Sequence, residues 1–501
     1  MIHPKTTAML FGAGLLIFVA AVAWPTSALF ISAFVLPNGE STELIPSGRQ
    51  GLLLFRSLWM AAAAAVTTLL FSIPAAAMIG ICRSGKTPIL LAAVMMTLLV
   101  CPPMVYVFGW QRILPASTNP SLQCILIWSL WAWPIPAMLV GLSWVRSVHP
   151  AFEAALLETS SVSAWRRVAL PALRKPLFAS VLVLFVLFVG DYGTPHACGL
   201  VVWATELLAL SSVASEPIQV LIPALPVSIL CLICTALLVV LCHKGTLGTE
   251  LAATTGRTTT SHAHLLITIA ICAVSWVIPL IGLVSHLRGA PEFVATWRTY
   301  WPDILATLGT AGLAAILSTL VGMAACLFRR GRLIVVGWMV LFAAVPASLV
   351  GVAMIYGYNH SATTWVYDSV AIVVLAYVAK FGWISVVAAR VAMSRIDPGI
   401  LEQASLDGAS KSATLRHIVQ PAIWPTLVCG AWVFITLAIS DVAATSLVRV
   451  PSFTPIAHIL IEKFHRLEDQ MLISLSLTLM TIAVIPALFL CLAIRRSSTR
   501  G

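Results

Sequence analysis

Residues 397–410 read DPGILEQASLDGAS, and the polar stretch closes with LRHIVQP at 415–421. Its local chemistry is that of a short helix, a turn and a second helix. Asp397 is a good N-cap, and Pro398 suits the first helical turn. Glu402 and Asp407 fall toward either end of the helix. Gly408 suits a left-handed stop, and Ser410 can cap the helix that follows. A second polar stretch, PAFEAALLETSSVSAWRRVALP at 150–171, has the same layout. Pro171 stands 20 residues before Asp191, and Pro421 stands 20 residues before Asp441, so the two copies are offset by 250 in a chain of 501. A polar loop, a proline and a following acid in register at half the chain length point to an internal repeat.

Almost everything around these two loops is apolar. Hydrophobic residues make up 60% of the chain and charged residues 9%. A soluble domain has roughly 45–50% apolar and about 25% charged residues, and this chain cannot supply that much polar surface. Apolar runs near the ~20 residues needed to cross a bilayer recur from end to end. They predict about twelve spans, at 7–25, 52–81, 88–109, 121–145, 177–197, 217–242, 264–286, 304–328, 333–357, 367–390, 422–445 and 471–494. The first run exceeds the 7–15 residues of a signal-peptide core, so it is expected to be an uncleaved span. The expected fold class is all-α: a polytopic membrane helix bundle in two repeated six-helix halves, 1–250 and 251–501, joined by a Thr- and Gly-rich linker at 243–263.

The net charge of +11 could signal nucleic acid or an anionic membrane surface. Lys and Arg fall between apolar runs, with no basic, aromatic-interleaved stretch, so the membrane is the partner and nucleic acid is not expected. Of 29 basic residues, 20 fall on one side of the predicted spans and 8 on the other, with Lys380 alone inside a span. The excess of positive charge marks the inside, which places both termini in the cytoplasm together with both polar loops.

Two short motifs suggest other chemistry and lack its context. Gly80 to Thr87 spells GxxxxGK[ST], but no buried strand precedes it and another apolar run begins at Pro88, so a phosphate-binding loop is not expected. Cys231 and Cys234 form a CxxC inside an apolar run, where cysteine acts as a small apolar residue. His196 has no second ligand at helical spacing. No metal site, cofactor or catalytic residue is expected.

The two polar loops resemble the EAA motif of ABC importer permeases. The copy at about 394–425 matches at Glu402, Ala404, Asp407, Gly408, Ser410, Ile418 and Pro421, with Gln403 and Gln420 as departures. The copy at about 149–176 matches at Glu153, Ala154, Ala155, Ser161, Val168, Leu170 and Pro171. It carries Thr159 where the glycine is expected and is one residue short before the proline. Two such halves in one chain resemble the ferric-iron-type group, which includes thiamine and polyamine relatives. The segments Gly190 to Pro195 and Ser440 to Ser446 look like motifs of that group.

The resemblance implies an inner-membrane permease that is not itself an enzyme. Each loop would dock on a cytoplasmic ABC ATPase dimer, and a periplasmic or lipid-anchored binding protein would deliver the cargo. Ferric iron is the first expectation for that cargo, with thiamine, polyamine or phosphonate as alternatives. Asp191, Asp441 and Lys380 are candidates for the translocation path, because an ionisable residue at membrane depth is a functional hypothesis by default. A secondary carrier would need more acids inside the spans and leaves the paired loops unexplained. A membrane enzyme would need clustered His, Asp or Glu at the bilayer edge. Thr159 is β-branched and disfavours the positive φ open to Gly408, so the two turns are expected to differ in shape.

Overall fold

The computed structural model describes residues 4–34, 48–81, 94–95, 97–115, 117–144, 148–214, 216–243, 262–327, 345–394, 396–448, 450 and 453–498. The described residues are 85% helical, with no strand among them, as 60% apolar composition in lipid requires: a helix satisfies its own backbone polar groups. In chain order the helices are α1 (Pro4–Phe18), α2 (Trp24–Phe34), α3 (Gly48–Ile81), α4 (Pro103–Gln111), α5 (Pro120–Ala132), α6 (Pro134–Ser143), α7 (His149–Glu158) and α8 (Ser161–Ala164). There follow α9 (Leu170–Val189), α10 (Gly193–Ala197), α11 (Trp203–Val213), α12 (Ile218–His243), α13 (His262–Ser285), α14 (Ala290–Leu327) and α15 (Ala347–Tyr358). The last are α16 (Thr364–Tyr367), α17 (Ala371–Ser394), α18 (Pro398–Leu406), α19 (Lys411–Thr414), α20 (Gln420–Ile439), α21 (Ile456–His465) and α22 (Asp469–Ser498).

Eight helical stretches are long and apolar enough to cross a bilayer: Phe11–Ala33, Gly48–Ile79, Ser161–Val189, Ile218–Leu241, His264–Ser285, Ala290–Cys326, Ala371–Met393 and Leu415–Ile439. The pair α5 and α6, bent by 44°, makes a ninth if read as one span. The bend falls at Pro134, which has no N–H to continue the ladder. The expected count of about twelve is thus not reached among the described residues. The expected spans 88–109 and 333–357 lie partly outside them, as do residues 82–87 of the GxxxxGK[ST] match and most of the linker. Cys231 and Cys234 are both buried on α12.

Two expected boundaries move. The fifth span was expected to begin at 177, but one apolar helix runs Ser161–Val189, so the second helix of the polar loop is continuous with the span. Its counterpart runs Leu415–Ile439 and stops short of the expected 445, leaving Asp441 in a turn. Both continuities depend on a π turn. Trp165–Ala169 and Leu415–Val419 are single π turns, each placed immediately before a residue followed by proline. Pro171 and Pro421 lack an N–H, and their rings crowd the carbonyl one turn back. Widening the turn relieves that crowding without ending the helix. A third π turn, Val19–Ala23, precedes Pro25 in the same way. The two loop-to-span segments keep the 250-residue offset: α8 and α19 start at 161 and 411, the π turns at 165 and 415, and α9 and α20 at 170 and 420.

The chain divides into two compact units. One comprises Met1–Pro46, Glu206–Ser228 and Arg298–Leu467, and the other Ser47–Thr205, Ile229–Trp297 and Glu468–Gly501. Each crosses the sequence midpoint. In the first, the early helices pack on α15. Gly357 lets Pro25 approach so closely that an added Cβ would lie 2.9 Å from the Pro25 Cα. Trp24 Nε1 donates to the Gly357 carbonyl at 2.7 Å. The Tyr358 hydroxyl donates to the Ala20 carbonyl, within the π turn before Pro25, at 2.6 Å. In the second unit, α13 packs on α4. There a Cβ on Gly109 would meet the Pro279 carbonyl oxygen at 2.6 Å, and Trp133 Nε1 donates to Ser275 Oγ at 3.0 Å. Lipid supplies no hydrophobic drive between helices, so small residues that let backbones approach are what hold such contacts.

Candidate functional site

The 397–421 loop forms as its residues direct. Asp397 caps α18 by accepting from Gly399 N at 2.9 Å, with Pro398 at the first helical position. Such a cap stabilises a helix end by about 1 kcal/mol. At the other end Gly408 takes φ +74°. Ala409 N donates to the Ala404 carbonyl at 3.0 Å and Gly408 N to the Ser405 carbonyl at 3.3 Å, the paired bonds of a Schellman stop. Ser410 Oγ then accepts from Ala413 N at 3.3 Å and caps the next helix.

The 150–171 loop reaches the same end by a shorter route. Thr159 is extended, at φ −138° and ψ 166°, and its N–H and hydroxyl both donate to the Ala155 carbonyl, at 2.9 and 3.1 Å. No left-handed residue is used, as the β-branched side chain requires. The capping residue is Ser160, whose Oγ accepts from Ser163 N at 3.4 Å. The expected match was at Ser161; the capping Ser160 is the residue 250 before Ser410, and from cap to proline the two loops are equal in length. The shortfall lies in the turn, where only Thr159 separates α7 from the cap, against Asp407, Gly408 and Ala409 after α18.

Both loops are fixed to their own units by apolar clusters. Val148, Ala169 and Leu173 pack with Ala76 and Val140, joined by Trp144 and Phe152. The Trp144 ring lies 5.3 Å from Phe152 and 5.6 Å from Trp165, centroid to centroid. In the other loop Ile423 and Leu427 pack with Ala389 and Ala392, joined by Met323, Cys326 and Val419. Ala404 is buried, while Glu153, Ala154, Pro171, Glu402, Asp407, Gly408, Ser410 and Pro421 are exposed and Ala155 is half-buried. Beside these acids stand two leucines that sequence reasoning passed over: Leu157 is 90% exposed and Leu406 is 86% exposed. On so apolar a background neither had a distinguishing signal.

The three candidates for the path fall into two groups. Asp191, half-buried just past α9, accepts from Gly193 N at 2.9 Å, Thr194 N at 3.3 Å and Trp128 Nε1 at 2.7 Å. It holds the start of α10 and joins it to α5. Asp441, buried just past α20, accepts from Thr445 N at 3.1 Å. The Thr445 hydroxyl shares a 2.8 Å hydrogen bond with His458 Nε2 on α21. Lys380, on α17, acts electrostatically on Asp441, and its Nζ donates to the Val345 carbonyl at 2.6 Å. Lys380 and Asp441 thus lie in one unit within electrostatic reach of each other, and Asp191 belongs to the other unit. Among the described residues no group of three or more His, Cys, Asp or Glu could hold a metal ion.

Neither the curated proteins nor the solved structures yielded a match to this chain. Residues 314–499, which hold Lys380, the 397–421 loop and Asp441, match the family described as the binding-protein-dependent transport system inner membrane component. Together with the apolar helices, that match supports a multi-pass membrane protein and a permease of the ABC importer type.

Proposed function

We propose that this chain is the permease subunit of an ATP-driven importer, with two repeated halves that form the translocation path and two EAA-type loops that couple it to a separate ATPase dimer. The observation that carries the proposal is the pair of loops. Each presents an exposed acid and an exposed leucine on a short helix, each is bolted to its unit by an apolar cluster, and each feeds through a π turn into a long apolar helix. The same leucine–acid pair, Leu157 with Glu158 and Leu406 with Asp407, stands exposed at the end of the first helix in both loops, and that recurrence supports a docking face there. Rigid continuity into the span would pass motion at the loop to the turn that holds Asp191 or Asp441.

In this reading both termini and both loops face the cytoplasm of a bacterial cell. The path runs past Asp191, Asp441 and Lys380, and a separate binding protein delivers the cargo. Iron-, thiamine-, polyamine- and phosphonate-loaded binding proteins, added in turn to the reconstituted complex, identify that cargo through stimulated ATP hydrolysis, and ferric iron is the one we place first.

The test is co-expression of the full chain with its ATPase and binding protein. The wild-type chain should co-purify the ATPase. The double charge reversal Glu153→Lys/Glu402→Lys should insert normally and lose stimulated hydrolysis by roughly tenfold or more, the scale of losing two docking anchors. A wild-type chain that retains no ATPase, or a double variant stimulated as well as wild type, would remove the basis for the proposal.

A further inference from the structure

A proline opens a helix at the same kind of place in each compact unit. Pro102 precedes α4 with φ −55° and ψ 127°, and Pro346 precedes α15 with φ −54° and ψ 140°. In both cases the carbonyl just before the proline lies outside the helical ladder and needs a side-chain donor. The Cys101 carbonyl receives Trp131 Nε1 at 2.9 Å. The Val345 carbonyl receives Lys380 Nζ at 2.6 Å. A parallel holds for the acids: Asp191 has Trp128 Nε1 as a donor. At the 250-residue offset that relates Asp191 to Asp441, Trp128 and Trp131 correspond to Val378 and Phe381, which donate nothing. One cation on the same helix, Lys380, stands where two indoles stand in the other unit, and an ammonium has three donors to give.

We propose that Lys380 is a positioning residue rather than a cargo ligand: it is the counter-ion that keeps Asp441 charged and seated while it holds the broken backbone before α15. Asp441 is 8% exposed. A carboxylate at that depth is tolerated only if paired. Its place in turn fixes Thr445 and, through the Thr445 hydroxyl, His458 of α21. The ionisable groups that face Asp441 among the described residues are Lys380 and Tyr377 of α17 and, through Thr445, His458 of α21.

The test needs only the full chain in lipid nanodiscs, so its outcome is separate from that of the permease proposal. Lys380→Gln keeps a donor for the Val345 carbonyl and removes the charge. It should lower the apparent unfolding temperature at pH 8 by about 5 °C or more, the scale expected of an uncompensated buried charge. The sign with pH follows. Burial already makes Asp441 bind its proton more tightly folded than unfolded, Lys380 offsets part of that, and removing the cation strengthens it, so the variant loses stability more steeply than wild type as pH rises. The deficit should shrink by half or more at pH 5. Lys380→Gln/Asp441→Asn should recover most of the loss at pH 8 and show no such trend. Three results would overturn the assignment: a single variant as stable as wild type at pH 8, a double variant no better than the single, or a pH trend that persists in the double variant and so belongs to His458. If the single variant does not fold, a folded double variant supports the assignment and an unfolded one overturns it.

Discussion

Gly322 on α14 faces the backbone of α17, and replacing it with alanine gives a sharp test of how these helices are held. A Cβ there would lie 2.5 Å from the Ser385 carbonyl oxygen, 2.8 Å from the Ser385 carbonyl carbon and 3.1 Å from Val386 N. All three are backbone atoms, so no rotamer change can make room. To reach an ordinary contact near 3.4 Å the helices must separate locally by roughly 0.9 Å, and a gap of 0.5–1 Å forfeits about a quarter to a half of each dispersion contact it opens. The buried neighbours Val321, Ala325, Val386 and Ala389 would lose part of their packing, and lipid supplies no hydrophobic term to pull the pair back together. The expected cost is about 1–3 kcal/mol, reduced by about 0.5–1 kcal/mol because alanine favours a helix over glycine. Gly309 and Gly312 lie on the same helix with nothing within 4 Å of an added Cβ. Gly312→Ala should therefore leave stability unchanged or slightly raised. Thermal unfolding of the purified chain in nanodiscs, followed by tryptophan fluorescence, reads both variants. If Gly322→Ala unfolds at or above the wild-type temperature, or if Gly312→Ala is equally damaging, close backbone approach is not what joins α14 to α17.

The polar loops and the α22 terminus give two further expectations. Gly408→Val forces a β-branched residue into φ +74° at a cost of about 1–2 kcal/mol, whereas Thr159→Val keeps an extended residue extended, so ATPase co-purification should fall with the first and hold with the second. Arg112 holds the Asp469 carboxyl low through a bidentate contact at 2.5 and 3.1 Å, so the stabilisation is present above the ordinary carboxylate range and is lost as pH falls through the lowered value. Asp469 is half exposed, so Asp469→Asn should cost under about 1 kcal/mol at pH 7, and its unfolding temperature should converge on wild type below about pH 4.

What the sequence made legible follows from how local each cause is. The all-helical membrane architecture rests on composition and run length. The capping roles of Asp397, Gly408 and Ser410 rest on residues within three positions of the group they satisfy. Counting forward from Glu153 pairs Ser161 with Ser410, because it places the one missing residue after the cap, while the backbone places it before Ser160. The π turns were invisible because a proline in an apolar run reads equally well as a kink, a break or a helix start. The make-up of the compact units was invisible for a stronger reason. Tyr358 meets Ala20 across 338 residues and Trp24 meets Gly357 across 333, and the only sequence trace of those contacts is a small residue in an apolar helix, one glycine among 29.

The Lys380 site and the Trp128–Trp131 site meet similar backbone demands with different residues. Each proline that opens α4 or α15 creates the same demand, a donor for the carbonyl before it, and each acid past α9 or α20 creates another, a partner for a carboxylate away from water. The backbone fixes where the donors must be but not what they are. Two indoles meet both demands in one unit and one ammonium meets them in the other. A swap of that kind erases residue identity while it keeps geometry. It also couples substitutions: once Val378 and Phe381 occupy the indole positions, Lys380 becomes obligatory. The reverse holds for Trp128 and Trp131. Introducing Lys at 130, the position 250 before Lys380, would add a buried cation where the indoles already fill both demands. The two units are therefore not interchangeable at these positions, although they follow the same backbone rule.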